Sequence, residues 1–354
     1  MTDASLAALR DRIVAAHQAQ TRLRLRGAGT KDFYGESLTG EVLDTREYAG
    51  IVDYDPSELV LTARCGTRLS EIESALAAHG QFLAFEPPGF GGDPTLGGLV
   101  AAGLSGPRRA SVGAARDFVL GVSLLNAQGE LLHFGGRVMK NVAGFDVSRL
   151  LCGSLGVLGL IAKVSLKVLP LPRVETSLRF ELSAAQALDR FNQWRARPLP
   201  ISATAWHADI SCVRLSGSPS AVRAARDSLG GEALDEAQAQ SYWRSLRDQT
   251  LAIFQQDDRR LWRLSLPATA AFENSAGALL EWSGALRWLR SDAPAGEIRS
   301  MAEKRGGTAT LWRGMRDAPM FHPLTPINLE LHRRLKMQFD PHGIFNRGRL
   351  IAGL

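Results

Sequence analysis

The feature that most constrains this chain is a run of glycines set among apolar residues between positions 93 and 170. Gly97, Gly98, Gly103, Gly106, Gly113, Gly135, Gly136, Gly144, Gly153, Gly156 and Gly159 are spaced by leucine, valine and alanine. Flexible linkers are also rich in glycine but lack that apolar content, so this segment is expected to pack. A packed segment needs so much glycine where backbone turns through positive φ or comes very close to another group. A large ligand carrying phosphates is such a group, because main-chain N–H groups at turns and helix starts bind anions.

A length of 354 residues predicts about two domains, and 45% hydrophobic with 22% charged residues is a globular composition. The formal net charge is +6, but no block of like charges occurs. That pattern reads as an ordinary soluble surface rather than a nucleic-acid-binding one, while the basic excess suits an acidic partner or an anionic substrate. Residues 1–20 lack the apolar core of a signal peptide. The longest near-apolar run, 150–162, is shorter than the roughly 20 residues a membrane-spanning helix needs, and glycines interrupt it. The expectation is a cytoplasmic protein, at most peripheral to the inner face of the cell membrane. Cys65, Cys152 and Cys212 lie far apart with no Cys-x-x-Cys pair, which argues against a zinc site or a four-cysteine iron–sulfur cluster within this chain. The odd count also argues against a disulfide framework.

Apolar periodicity predicts helices over 4–19, 70–79 and 95–102 and strands over 22–26, 40–44, 59–63, 118–125, 131–134 and 161–168. Ser70 and Glu73 have capping-box spacing. The last strand alternates, with Val164, Leu166 and Val168 on one face and Lys163, Ser165 and Lys167 on the other. Pro170 and Pro172 mark a boundary. Beyond it glycine thins and strands alternate with helices: strands over 174–182, 201–206, 212–216, 261–266, 285–289 and 308–313, helices over 184–196, 221–229 and 295–304. That cadence predicts an antiparallel sheet with helices on one side. A final helix over 328–339 leads into Asp340-Pro-His-Gly-Ile-Phe-Asn-Arg-Gly348, glycine-turn rich like the first half, which reads as a return to the first domain.

The common nucleotide motifs fail. The dinucleotide fingerprint from Gly27-Ala-Gly29 would need a small residue at 32, where Asp32 stands, and no Gly-x-x-x-x-Gly-Lys-Ser/Thr occurs. Another order is present. It runs from Arg26-Gly-Ala-Gly-Thr30 through Pro94-Thr-Leu-Gly-Gly98, Ser105-Gly106, Gly113 with Asp117, Gly136-Arg-Val-Met-Lys-Asn-Val-Ala-Gly-Phe-Asp146 and Gly153-Ser-Leu-Gly-Val-Leu-Gly159 to Phe339-Asp-Pro-His-Gly-Ile-Phe-Asn346. In this order the chain resembles the FAD-linked oxidases of the vanillyl-alcohol oxidase and p-cresol methylhydroxylase class, and within it the FAD-binding subunits of bacterial glycolate oxidases. The resemblance covers the flavin domain and the C-terminal close. It implies an α+β protein with a two-part FAD-binding domain over 1–172, an α+β cap domain over 173–325, and a C-terminal helix and turn over 326–354 that returns to the FAD domain.

The resemblance also implies roles. Arg26, Gly27, Ala28, Gly29, Thr30 and Lys31 would wrap the FAD pyrophosphate with backbone N–H groups. Pro94, Thr95, Leu96, Gly97 and Gly98 would touch flavin and pyrophosphate, and Ser105, Gly106, Gly113 and Asp117 would lie along the cofactor. Gly156, Val157 and Ile161 would line the adenine or ribityl region, with Asn346 approaching the flavin. Thr30 stands where some members carry a histidine for covalent attachment, so FAD is expected to bind non-covalently. Gly135, Gly136 and Gly144 serve equally well as plain turn glycines. Lys140, Asn141 and Asp146 are expected to brace their loop rather than touch FAD.

The catalytic members of the family carry Gly-Glu-His-Gly and His-x-Gly-Asp-Gly-Asn-type segments, and neither occurs here. Oxidising a 2-hydroxy acid needs a base near the hydroxyl and cations for the carboxylate. His207, His322, His332 and His342 are scattered candidates, and the catalytic residues stay unassigned. The resemblance therefore implies a subunit that oxidises glycolate to glyoxylate beside a larger FAD-linked catalytic subunit and an iron–sulfur subunit. Two alternatives remain: a self-sufficient 2-hydroxy-acid dehydrogenase, for example of lactate, using His332 and nearby arginines, and a flavin-free structural subunit.

Overall fold

The structure, a computed structural model, describes residues 4–136, 146–255, 259–271 and 277–354. Lys140, Asn141 and Gly144 lie outside the described residues. The chain divides into two compact units. The first takes in Met1–Leu104, Ala114–Pro170 and Pro323–Leu354, and the second Ser105–Gly113 and Leu171–His322. Ser105, Gly106 and Gly113, expected to lie along the cofactor in the first domain, thus belong to the second unit.

In the first unit, strands β1 (Leu23–Arg26) and β2 (Glu41–Asp44) pair in parallel. The C-terminal close joins them: Leu23 bridges Phe345 in parallel, Leu23 N–H donates to the Ile344 carbonyl at 2.7 Å, and Asn346 N–H donates back to Leu23 at 3.0 Å. Strands β3 (Ile51–Asp55), β4 (Val60–Arg64), β6 (Val119–Leu125), β7 (Leu131–Gly135) and β8 (Leu160–Lys167) form an antiparallel sheet in the order β3-β4-β8-β6-β7. The short strands β5 (Gln81–Phe82) and β9 (Leu169–Pro170) pair beside it. The helix Ala4–Ala19 lays Leu9, Ile13 and Ala16 onto a core with Leu23, Leu43, Tyr48, Cys65, Leu125, Leu160, Ile344 and Phe345. A fully buried side chain of the leucine or isoleucine type contributes roughly 1.5–3 kcal/mol, so this cluster ties the N-terminal helix, both sheets and the C-terminal close together.

One local reading is corrected here. The second helix is Leu69–Ala77, and its N-cap is Arg68 in extended conformation, with no side-chain cap. Ser70 instead donates through both its N–H and its hydroxyl to the Asp93 carboxylate, at 3.0 and 2.6 Å. A carboxylate from a distant loop thus satisfies the helix start, which no local spacing could reveal. On β8, Ser165 alternates with Val164 and Leu166. It is buried and bonds Thr62 across the strands at 2.8 Å.

The second unit is built on one antiparallel sheet. Its strands are β10 (Val174–Glu181), β11 (Ile201–His207), β12 (Ile210–Gly217), β13 (Glu232–Ala233), β14 (Arg260–Ser265), β15 (Ala278–Glu281), β16 (Leu286–Ser291) and β17 (Thr308–Arg313). Their order is β13-β10-β12-β11-β15-β16-β14-β17. Helices Ala184–Arg195 and Pro219–Leu229 pack on Leu178, Val213, Leu215 and Trp206, and helix Ala295–Lys304 packs on Trp262, Leu264 and Leu311. The expected one-sided arrangement is incomplete. Helix Glu236–Arg247, not anticipated, places Trp243 on Ser177 and Arg214, the strand positions that alternate with Leu178 and Val213. Successive strand residues point to opposite faces, so this helix covers the other face. Among the described residues no helix is long and apolar enough to cross a membrane.

Candidate functional site

The parallel pair β1–β2 ends at Arg26 and Asp44, and the chain then turns through 27–34 before reaching β2. This turn, the start of helix Leu96–Ala102, the loop before β8 and the C-terminal close surround one cavity in the first unit. Its wall is largely main chain and small side chains: Gly27, Ala28, Gly29, Gly97, Gly98, Ala101, Ala102, Gly156 and Gly159. Gly27 is required by close approach, since a Cβ there would overlap the Thr95 side chain. The Thr95 hydroxyl is buried and has no hydrogen-bond partner, although Thr95 stands at the N-cap of Leu96–Ala102. A buried polar atom left unmatched costs about 1–3 kcal/mol, so its retention beside a cavity points to a ligand that pairs it.

The charge of the wall is one-sided. Arg24, Arg26, Lys31 and Arg349 line the cavity against a single carboxylate, Asp32. Arg26 Nε already donates to that carboxylate at 2.7 Å. Arg24 Nε is buried without a hydrogen-bond partner. A concave site of backbone, small residues and cations suits a phosphate-bearing ligand. Cys65 also lines it, but burial pushes its thiol up to about 12, so it stays protonated there.

Asn346 also lines the cavity. Its Oδ1 accepts from Leu25 N–H at 2.8 Å and its Nδ2 donates to the Leu155 carbonyl at 2.7 Å. Asn346 has φ 39°, a left-handed conformation that asparagine tolerates better than most residues. Lys336 on helix Pro326–Phe339 holds this turn from behind, donating to the Val157 and Phe345 carbonyls and to Asp340. The Asp340 carboxylate accepts from the N–H groups of Ile344 and Phe345.

Of the residues expected to hold a cofactor, Arg26, Gly27, Ala28, Gly29, Thr30, Lys31, Pro94, Thr95, Gly97, Gly98, Gly156, Ile161 and Asn346 line this cavity. Leu96 and Val157 are buried beside it and do not line it. Asp117 does not line it either: its carboxylate accepts from Ala114 N–H at 2.8 Å and pairs with Arg149. Ser105, Gly106 and Gly113 fall in the second unit, where the Gly106 carbonyl accepts from Trp282 Nε1 at 3.0 Å. Asp146 caps the short helix Val147–Leu151 through Arg149 N–H, a bracing role. None of the candidate histidines lines the cavity. His207 Nδ1 meets the Ala278 carbonyl, His322 pairs with Glu303, His332 Nδ1 meets the Asn328 carbonyl, and His342 packs on His17. Sequence reasoning missed Arg24 and Arg349. The arginine–leucine alternation of 22–26 carried a signal for Arg24, because it marks a strand leading into the glycine turn. Arg349 carried none.

The comparisons with known proteins agree with this geometry. Residues 4–135 match the FAD binding domain family. The glycolate oxidase subunit GlcE of Escherichia coli is 45% identical over 98% of this chain and 97% of its own length. The chain belongs to the GlcE family. The glycolate oxidase subunit GlcD of Bacillus subtilis is 31% identical over 43% of this chain and 33% of its own length. A D-lactate dehydrogenase of Archaeoglobus fulgidus is 30% identical over 46% of the chain and 37% of its own length. Among solved structures, alkyldihydroxyacetonephosphate synthase superposes with a TM-score of 0.66, covering 96% of this chain and 74% of that one at 15% identity. The glucose dehydrogenase Phl p 4.0202 gives 0.63, covering 99% and 89% at 15% identity, and both carry the fold alone. The cofactor of this oxidoreductase is FAD. The cavity lining fits it: glycine main chain and the cationic Arg24, Arg26 and Lys31 would suit its phosphates, and the unmatched Thr95 hydroxyl and Arg24 Nε would offer polar partners.

Proposed function

We propose that this chain is the FAD-binding subunit of a glycolate oxidase, working beside a larger FAD-linked subunit and an iron–sulfur subunit to oxidise glycolate to glyoxylate. The observation that carries this reading is the cationic, glycine-walled cavity in a chain similar to GlcE along nearly its whole length. Arg26 and the 27–31 turn would hold the pyrophosphate, Thr95, Gly97 and Gly98 would flank it, and Gly156, Ile161 and Asn346 would meet the rest of the cofactor. FAD bound there, non-covalently, supplies a two-electron acceptor. The chain's own residues bind and orient it. The base that takes the hydroxyl proton of the 2-hydroxy acid comes from the larger subunit. Membrane association is peripheral and runs through the complex.

The test is stopped-flow absorbance of the FAD-loaded chain mixed with glycolate, alone and after addition of the two partner subunits. This reading predicts no flavin bleaching by the chain alone and rapid bleaching in the complex. Bleaching of the isolated chain at the same rate would overturn the dependence on partners. A complex reduced by D-lactate and not by glycolate would overturn the substrate.

A further inference from the structure

The cavity wall between residues 31 and 36 is held by a side chain near the other end of the chain. Arg349 donates from one terminal nitrogen to the Glu36 carbonyl at 2.7 Å, and from the other to the Asp32 carbonyl at 2.7 Å and the Lys31 carbonyl at 3.3 Å. Its own backbone is fixed at both ends, with Arg349 N–H on the Asn346 carbonyl and Glu36 N–H on the Arg349 carbonyl, each at 2.9 Å. Asp32 is therefore gripped twice, its carboxylate by Arg26 and its carbonyl by Arg349. Gly35 packs directly on the guanidinium, where a Cβ would stand 2.6 Å from Nε.

We infer that Arg349 is a positioning residue for the FAD pyrophosphate. It acts by fixing the carbonyls of 31, 32 and 36, so that the preceding turn, 27–31, keeps its main chain turned to the cavity. The planar fork of Arg349 sets two separate nitrogens in one fixed geometry, one on the Glu36 carbonyl and the other on those of residues 31 and 32, whereas a lysine offers one nitrogen on a flexible stem. A binding loop that is ordered before the ligand arrives avoids an ordering cost on binding. The same contact links the cofactor loop to the turn that delivers Asn346, so both walls of the cavity are set by one C-terminal segment. This inference rests on the reading that the 27–31 turn receives the pyrophosphate.

The test is titration of the apo-protein with FAD, followed by flavin fluorescence, for the wild type, Arg349→Met, Arg349→Lys and Gly27→Val. Hydrogen exchange of the 31–36 amides in the apo-proteins runs alongside. Positioning predicts that Arg349→Met and Arg349→Lys both weaken FAD at least tenfold. It also predicts faster exchange confined to 31–36, with near-UV circular dichroism unchanged. Lysine keeps the charge and loses the fork, so wild-type affinity in Arg349→Lys would show that charge alone matters and would overturn the inference. Wild-type affinity in Arg349→Met would overturn it as well. Were Arg349→Met not to fold, Arg349→Lys decides by the same two readouts. Gly27→Val separates the two readings: if it too binds FAD normally, the pyrophosphate site itself is misplaced, whereas loss in Gly27→Val alone rejects only the role of Arg349.

Discussion

The Lys336 ammonium lies 2.6 Å from the Asp340 carboxylate, and both side chains are buried beneath the turn that carries Asn346. Burial pushes the Lys336 ammonium below its ordinary value, and the adjacent Asp340 pulls it part of the way back. The pair is satisfied on every side by the carbonyls of Val157 and Phe345 and the N–H groups of Ile344 and Phe345. Breaking such a pair from one side leaves a buried charge uncompensated, at about 3–5 kcal/mol. Lys336→Met is expected to lose that much stability in urea unfolding, and Lys336→Met with Asp340→Asn to lose less than the two single changes combined. Additive losses would show that the pair is not coupled.

Gly156 stands at φ 72°, and a Cβ there would lie 2.8 Å from Asn346 Nδ2. Gly156→Ala is expected to cost about 1–2 kcal/mol for the left-handed conformation and about 1–3 kcal/mol for overpacking. Because the displaced group is the cavity wall, FAD affinity should fall with stability. Calorimetry of the apo-protein together with an FAD titration checks both, and a stability loss without an affinity loss would detach Asn346 from the cofactor.

In the second unit Glu175 is half-buried between Arg108 and Arg214. Burial raises its carboxyl, but Arg214, the Ser216 hydroxyl and Arg108 outweigh it and hold the group below its ordinary 4.5. The folded value is thus the lower one. The stabilisation is complete above 4.5 and is lost as pH falls through the depressed folded value. Glu175→Gln should lower the thermal midpoint at pH 7 and flatten its decline in acid. An unchanged acid limb would contradict the ion-pair account.

How much of this was legible in the sequence differs between the two units. The glycine turn at Gly27 to Thr30 and the Thr95 to Gly98 start were readable because bare backbone has few other uses in a packed segment, whereas Asn346 came from the family resemblance alone. The Asp93 cap of the Leu69–Ala77 helix was not, because it joins residues brought together only by tertiary folding. Nor was Arg349, whose three carbonyl partners lie more than 300 positions away. Helix Glu236–Arg247 escaped for a different reason. Its face toward the sheet is carried by Ala239, Trp243 and Leu246, too sparse an apolar stripe to stand out among polar residues.

Cys65 gives a chemical check on the cavity wall. Its thiol is 1% exposed and is pushed by burial up to about 12. The thiolate is the reactive form, so iodoacetamide at pH 8 should leave Cys65 unmodified in the native chain and alkylate it fully after denaturation, read by peptide mass spectrometry. Modification of the native apo-protein would mean that the cavity opens to reagent.

The central claim is that this cavity holds FAD without a covalent bond. The direct measurement is an absorption spectrum of the purified chain after incubation with FAD and gel filtration, followed by acid precipitation. The account predicts a protein-bound flavin spectrum at one FAD per chain and full release of the flavin into the acid supernatant. Flavin retained in the pellet would contradict the non-covalent site, and absence of bound flavin from the well-folded chain would contradict the site itself.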